Sequence, residues 1–124
     1  MIPTNPSGMA KLQTKVNRNP DVGLALWKAA CDGHMLRFKS AMRKMRGKHP
    51  DVKYRGATPL YMAAFNGHFD IMKMLVHKGA NPLKDCVWDE EQGASPFNPC
   101  EVGRLYGWLS EDEVLELCKT HAKL

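Results

Sequence analysis

Apolar and polar positions recur along this chain with helical rather than alternating spacing. Leu26-Trp27-Lys28-Ala29-Ala30-Cys31-Asp32-Gly33-His34 returns as Leu60-Tyr61-Met62-Ala63-Ala64-Phe65-Asn66-Gly67-His68, at an offset of 34. Five of the nine positions are identical and a sixth is aromatic in both copies. A repeat of this period points to stacked units, each too small to bury its own apolar face. In the second copy, Thr58-Pro59 opens a helix with a capping hydroxyl and a proline at the first helical position. Asn66-Gly67 breaks it. Phe69, Met72 and Val76 form the i, i+3, i+7 stripe of a second, one-sided helix, which Lys78-Gly79 ends.

The first copy repeats this plan. Asp21 caps a helix running to Cys31, and Met35, Phe38, Ala41, Met42 and Met45 form the apolar stripe of the next. That second helix should exceed its counterpart by about half a turn, because Gly33 to Gly47 spans 14 positions and Gly67 to Gly79 spans 12. A degenerate third copy follows. Ser95-Pro96-Phe97 aligns with Thr58-Pro59-Leu60 at an offset of 37, and Ser110 with Glu113 forms a capping box before an apolar-patterned helix with Val114, Leu115, Leu117 and Cys118.

Gly56-Ala57-Thr58-Pro59-Leu60-Tyr61-Met62-Ala63-Ala64-Phe65-Asn66-Gly67-His68, followed by Met74-Leu75-Val76-His77-Lys78-Gly79-Ala80-Asn81-Pro82, resembles the ankyrin repeat. The resemblance covers roughly residues 21–124 and implies an all-α fold. The fold so implied would be a short ankyrin-repeat solenoid of stacked helix pairs with finger-like loops. The divisions expected are an extended N-terminal tail over 1–20 and repeats at about 21–55, 56–92 and 93–124. The chain departs from the family where a histidine usually follows T-P-L. The three copies offer Trp27, Tyr61 and Asn98 there.

Charge sharpens this picture. The 18 Lys and Arg against 13 Asp and Glu give +5. Residues 1–55 hold 12 basic and 3 acidic residues (+9), and residues 56–124 hold 6 and 10 (−4). In a solenoid, sequence neighbours stay spatial neighbours, so the two ends should carry opposite charge. The four cysteines have no C-x-x-C spacing, and no histidine pair has zinc-ligand spacing, so no metal is expected. With no secretory signal pattern and no long apolar run, reduced thiols and an intracellular location follow, cytoplasmic or else mitochondrial. There is no P-loop, no G-x-G-x-x-G and no G-x-S-x-G, and so no basis for an enzyme, a cofactor or a small-molecule substrate.

The resemblance implies that partner proteins bind the concave face. The finger-loop candidates are Tyr54, Arg55 and Ala57, and the first-helix candidates are Cys31, Asp32, Phe65 and Asn66. The second finger is longer than a standard repeat needs and holds Trp88, Asp89 and Glu90, an aromatic anchor with a polar rim. Arg37, Arg43, Lys44, Arg46, Lys48 and Lys53 make a basic face. Such a face is ordinarily solvated, and the alternative is contact with RNA, an acidic protein or another polyanion. The function expected is a non-enzymatic protein–protein interaction module, an adaptor or a small structural subunit of a larger assembly. The alternative is an RNA-contacting subunit of a ribonucleoprotein.

Overall fold

A computed structural model describes residues 21–87 and 96–123. Within them lie six helices: α1 (Val22–Asp32), α2 (Met35–Met45), α3 (Pro59–Phe65), α4 (Phe69–His77), α5 (Pro99–Leu105) and α6 (Glu111–Ala122). α1 packs against α2 and α3 against α4, and α5 and α6 follow in the same alternation. The inner helices stack in the order α1, α3, α5, and the outer helix α4 also meets α6. The fold is the all-α, stacked helix-pair architecture that the repeat implies.

Five of the six described helices start at a side-chain cap. Asp21 Oδ1 accepts from Leu24 N at 3.0 Å, and Thr58 Oγ1 accepts from Tyr61 N at 3.2 Å with Pro59 at the first position. Ser110 and Glu113 close the capping box their spacing predicts. His34 Nδ1 caps α2 by accepting from Arg37 N at 3.3 Å. The 11 residues of α2 against 9 in α4 agree with the glycine spacing.

The core runs through the stack rather than within one repeat. Leu26, Phe38, Leu60, Leu75 and Val76 are fully buried, and Met72 nearly so. Ala29 and Ala30, and then Ala63 and Ala64, are buried along the inner helices, where their small side chains let neighbouring helices approach closely. Transfer of a Leu or Phe side chain from water contributes about 1.5–3 kcal/mol, so this continuous seam is the main source of cohesion.

The third repeat starts later than its sequence suggested. Ser95 lies outside the described residues, and Pro96-Phe97 does not open a helix: Phe97 pairs with Cys86 in an isolated antiparallel bridge (N to O 2.8 and 3.0 Å), so its backbone is extended. Asn98 is the cap. It accepts from Glu101 N at 2.8 Å while Glu101 Oε1 accepts from Asn98 N at 2.9 Å, and Pro99 takes the first helical position. The offset from the second copy is therefore 40, and Glu101, not Asn98, occupies the place of the family's histidine. Cys31 and Cys118 are only partly buried. Cys86 and Cys100 are the buried pair.

Candidate interaction surface

The inner helices end in a repeated device. Gly33, Gly67 and Gly107 all adopt left-handed backbone, with φ of 72°, 79° and 77°. This terminates each inner helix and sends the chain outward at low steric cost. The next residue is His34, His68 or Trp108. His68 Nε2–H donates to the Cys31 carbonyl at 3.2 Å, and Trp108 Nε1–H donates to the Phe65 carbonyl at 3.1 Å. Cys31 and Phe65 are equivalent positions, so the rings of the second and third repeats each reach the same carbonyl of the repeat before. The fit is close. A Cβ on Gly33 would lie 2.4 Å from the His68 ring, and one on Gly67 would lie 2.8 Å from the Trp108 ring. Trp108 thus performs in the third repeat the part that His68 performs in the second.

This ladder sets equivalent positions at the C-terminal ends of the inner helices in register: Asp32, the cap residues Asn66 and Tyr106, and before them Cys31, Phe65 and Leu105. Asn66 Nδ2–H donates to the Met62 carbonyl at 3.1 Å and to Cys31 Sγ at 3.4 Å, which ties the first two repeats together at this rim. Burial raises the Cys31 thiol pKa and the Asp32 carboxylate adds to the rise, against the opposing bond from Asn66. The shift favours the protonated thiol over the thiolate. Phe65 is half-buried. Its ring is stacked 6.4 Å from Tyr61 and meets Tyr106 edge-on at 5.0 Å. At the C-terminal end the row becomes apolar and open: Leu105 is 65% exposed, Tyr106 51% and Trp108 52%.

The first finger is a tight hairpin. Tyr54 and Ala57 exchange both backbone bonds, at 3.0 and 3.1 Å, across Arg55 and Gly56. Arg55 (φ 55°) and Gly56 (φ 82°) both have positive φ, as a type I′ turn requires. Tyr54 is anchored rather than free. Its hydroxyl donates to the Asp21 carboxylate at 2.7 Å, and its ring lies edge-on to Trp27 at 6.2 Å. Burial, then the Asp21 bond and charge, push its phenol up to about 12. The same bond, with the Leu24 amide, holds Asp21 below the usual carboxylate range.

Ala57 is fully buried, and its carbonyl accepts from Trp27 Nε1–H at 3.0 Å. The two-residue turn draws it into the stack, so its side chain is unavailable to a partner. Arg55 and Lys53 remain exposed. Trp88, Asp89 and Glu90 lie outside the described residues. Trp27 and Tyr61 are buried between repeats. Leu105, Tyr106 and Trp108 were not among the sequence candidates. Alignment of Gly107-Trp108 on Gly67-His68 finds them.

Arg37, Arg43, Lys44, Arg46 and Lys48 are all exposed, as is Lys53 on the finger. They do not form one patch. Arg37 and Lys44 flank a depression between α1 and α2, together with Lys28. Arg43 and Lys48 line a separate cleft between α2 and α4. No group of three or more His, Cys, Asp or Glu side chains suited to a metal ion occurs among the described residues. Nor is any helix among them long and apolar enough to cross a membrane.

Residues 55–86 match the family model for the ankyrin repeat, and a search of curated proteins finds no match. The matched segment spans the first finger, α3, α4 and the approach to the second finger. Ankyrin repeats are protein–protein interaction modules. Residues 55–86 are thus an ankyrin repeat, and helices of the same plan lie on either side of it.

Proposed function

We infer that this chain is a non-enzymatic interaction module, an adaptor or small subunit, that binds a protein partner along the row of inner-helix ends. The observation that carries this reading is the gradient in that row. It passes from Asp32, through Asn66 and the half-buried Phe65, to the exposed Leu105 and Tyr106 beside Trp108. Tyr and Trp with an aliphatic neighbour supply large contact area at low entropic cost, which is the composition of binding hot spots. A closing repeat that served only as a cap would show a polar outer surface. Arg55 and Lys53 on the finger and Asp32 on the first inner helix would add charge around this apolar end and orient the partner.

The test is affinity capture from native extract with the full chain, read by mass spectrometry, beside the variant Leu105→Asp/Tyr106→Ala. The expected result is one or more proteins recovered in near-stoichiometric amount by the wild type and lost with the variant. Loss of a central aromatic anchor costs about 2 kcal/mol or more, a drop of roughly thirtyfold in affinity. Capture that survives the variant and disappears with ribonuclease, or falls steeply with added salt, would overturn the reading in favour of an RNA contact.

A further inference from the structure

The outer helices carry a second surface that the inner-helix row does not explain. A cleft of about 330 Å³ opens between α2 and α4. Its walls present Lys39 and Arg43 from α2, Lys48 from the segment after α2, and Lys78 from the end of α4. All four are exposed, no carboxylate lines the cleft, and none of the four forms an ion pair with another described residue. Its floor includes the half-buried side chains of Met42 and Met74. Cations lie on both walls of an unbranched, polarizable apolar floor. Methionine of this kind suits a surface that adapts to an incoming side chain.

We propose that this cleft binds a short acidic amphipathic segment of a partner protein, with a bulky aliphatic side chain on the methionine floor and flanking carboxylates on the four cations. Charge complementarity selects an anionic occupant. The floor selects among anions. No aromatic ring lines the cleft, so a nucleotide base would find nothing to stack on. Both methionines are half-buried, so they offer a bilayer little of the exposed apolar surface that a membrane-binding face presents. Lys39 and Arg43 stand four apart on one helix face, and Lys78 opposes them from the neighbouring repeat. An acidic segment laid along the cleft would meet charge on both sides. The site is independent of the inner-helix row and survives if that reading fails.

The experiment uses the full chain with ¹³C-methyl-labelled methionine, observed by NMR. Four probes are titrated separately: an acidic peptide with leucines on one helical face, the same peptide with those leucines replaced by alanine, a single-stranded RNA oligonucleotide of equal charge, and vesicles of mixed phosphatidylcholine and phosphatidylserine. The leucine peptide should shift the Met42 and Met74 methyl signals and bind at least about tenfold more tightly than its alanine counterpart, the effect of burying one leucine. Lys39→Glu/Arg43→Glu should reduce that binding at least about tenfold, as loss of two charge contacts requires. Arg37→Glu/Lys44→Glu changes net charge equally but lies at the other depression, and it should leave the methyl shifts intact. Leu105→Asp/Tyr106→Ala should also bind the peptide normally, which separates this site from the inner-helix row. Equal binding of the alanine peptide, stronger methyl shifts from RNA or vesicles, equal loss with both charge variants, or no methyl shift at all would each overturn the proposal.

Discussion

The central and closing repeats use the same plan and bury it to different depths. In α3 every residue from Pro59 to Ala64 is buried, whereas in α5 only Pro99, Cys100, Val102 and Gly103 are. In α4 Ile71, Met72, Leu75 and Val76 are buried, whereas in α6 only Leu117 is. The central pair has a neighbour on each side, and the closing pair has one among the described residues. Burial in a solenoid is shared between neighbours, so an end repeat keeps half of its surface open whatever its sequence. What an end repeat places there is therefore informative. Here it places Leu105, Tyr106, Trp108 and Leu115, each more than half exposed. The opening repeat exposes one large aliphatic side chain of this kind, Leu36.

The largest test of this contrast removes the same side chain from both places. Leu60 is fully buried in α3, which touches α1, α4 and α5. Leu60→Ala should cost about 2–5 kcal/mol and lower the stability of the whole stack together. Leu117 is almost equally buried, but α6 is the last of the described helices. Leu117→Ala should open α6 locally. Amide exchange should accelerate in α6 and remain slow in α1 to α4, while the main thermal transition moves less than with Leu60→Ala. Loss of all six helices in one step by both variants would show that the closing repeat is no weaker than the centre.

A smaller effect isolates the ring that locks the two repeats. Gly67 and Gly107 have nearly the same backbone, φ 79° and 77°, so alanine at either should cost about 1–2 kcal/mol from the left-handed conformation alone. At Gly67 the new Cβ would also meet the Trp108 ring at 2.8 Å, whereas at Gly107 nothing lies within 4 Å. Overpacking of this kind typically adds about 1–3 kcal/mol. Gly67→Ala should therefore melt below Gly107→Ala by roughly 4–8 °C for each extra kcal/mol. Equal melting temperatures would mean that Trp108 swings aside freely and does not fasten the closing repeat.

Much of the central repeat is legible in the sequence because its punctuation is local. Thr58-Pro59, Asn66-Gly67 and Lys78-Gly79 each act within one turn of backbone, and the observed helix ends follow them. The closing repeat offers two cap-and-proline pairs three residues apart, Ser95-Pro96 and Asn98-Pro99. The bridge between Phe97 and Cys86, distant in sequence, decides between them. The same displaced register hides Tyr106 and Trp108 from a search anchored at Ser95. Ala57 was legible as a finger residue but not as a buried one, since its burial depends on Trp27 reaching its carbonyl from the first repeat. The basic stripe of α2 is plain from its spacing. Its division into two depressions is not, because Met74 and Lys78 come from the next repeat to complete one of them.

The smallest effect compares how the two ends are tied. The closing end is held by the indole bond of Trp108 to Phe65, which does not titrate, and the opening end by the phenol of Tyr54 on the Asp21 carboxylate, which does. Tyr54 has its pKa raised from 10 to about 12, so the neutral phenol is favoured in the folded state. Its contribution is fully present below about pH 10 and is lost as pH rises through about 12. Asp21 is shifted the other way, downward, first by the Tyr54 bond. Its contribution is present above the ordinary carboxylate value and is lost as pH falls through the lower folded value. Asp21 is exposed, so solvent screening holds the effect below about 1 kcal/mol. Tyr54→Phe should remove the alkaline loss and weaken the acid one, measured as the wild-type minus variant difference in melting temperature from pH 3 to 12. Because that link lies at the opening end, amide exchange in α5 and α6 should not change with the variant. A difference curve flat across the whole range would show that the hydroxyl of Tyr54 contributes nothing and that ring packing against Trp27 alone holds the first finger.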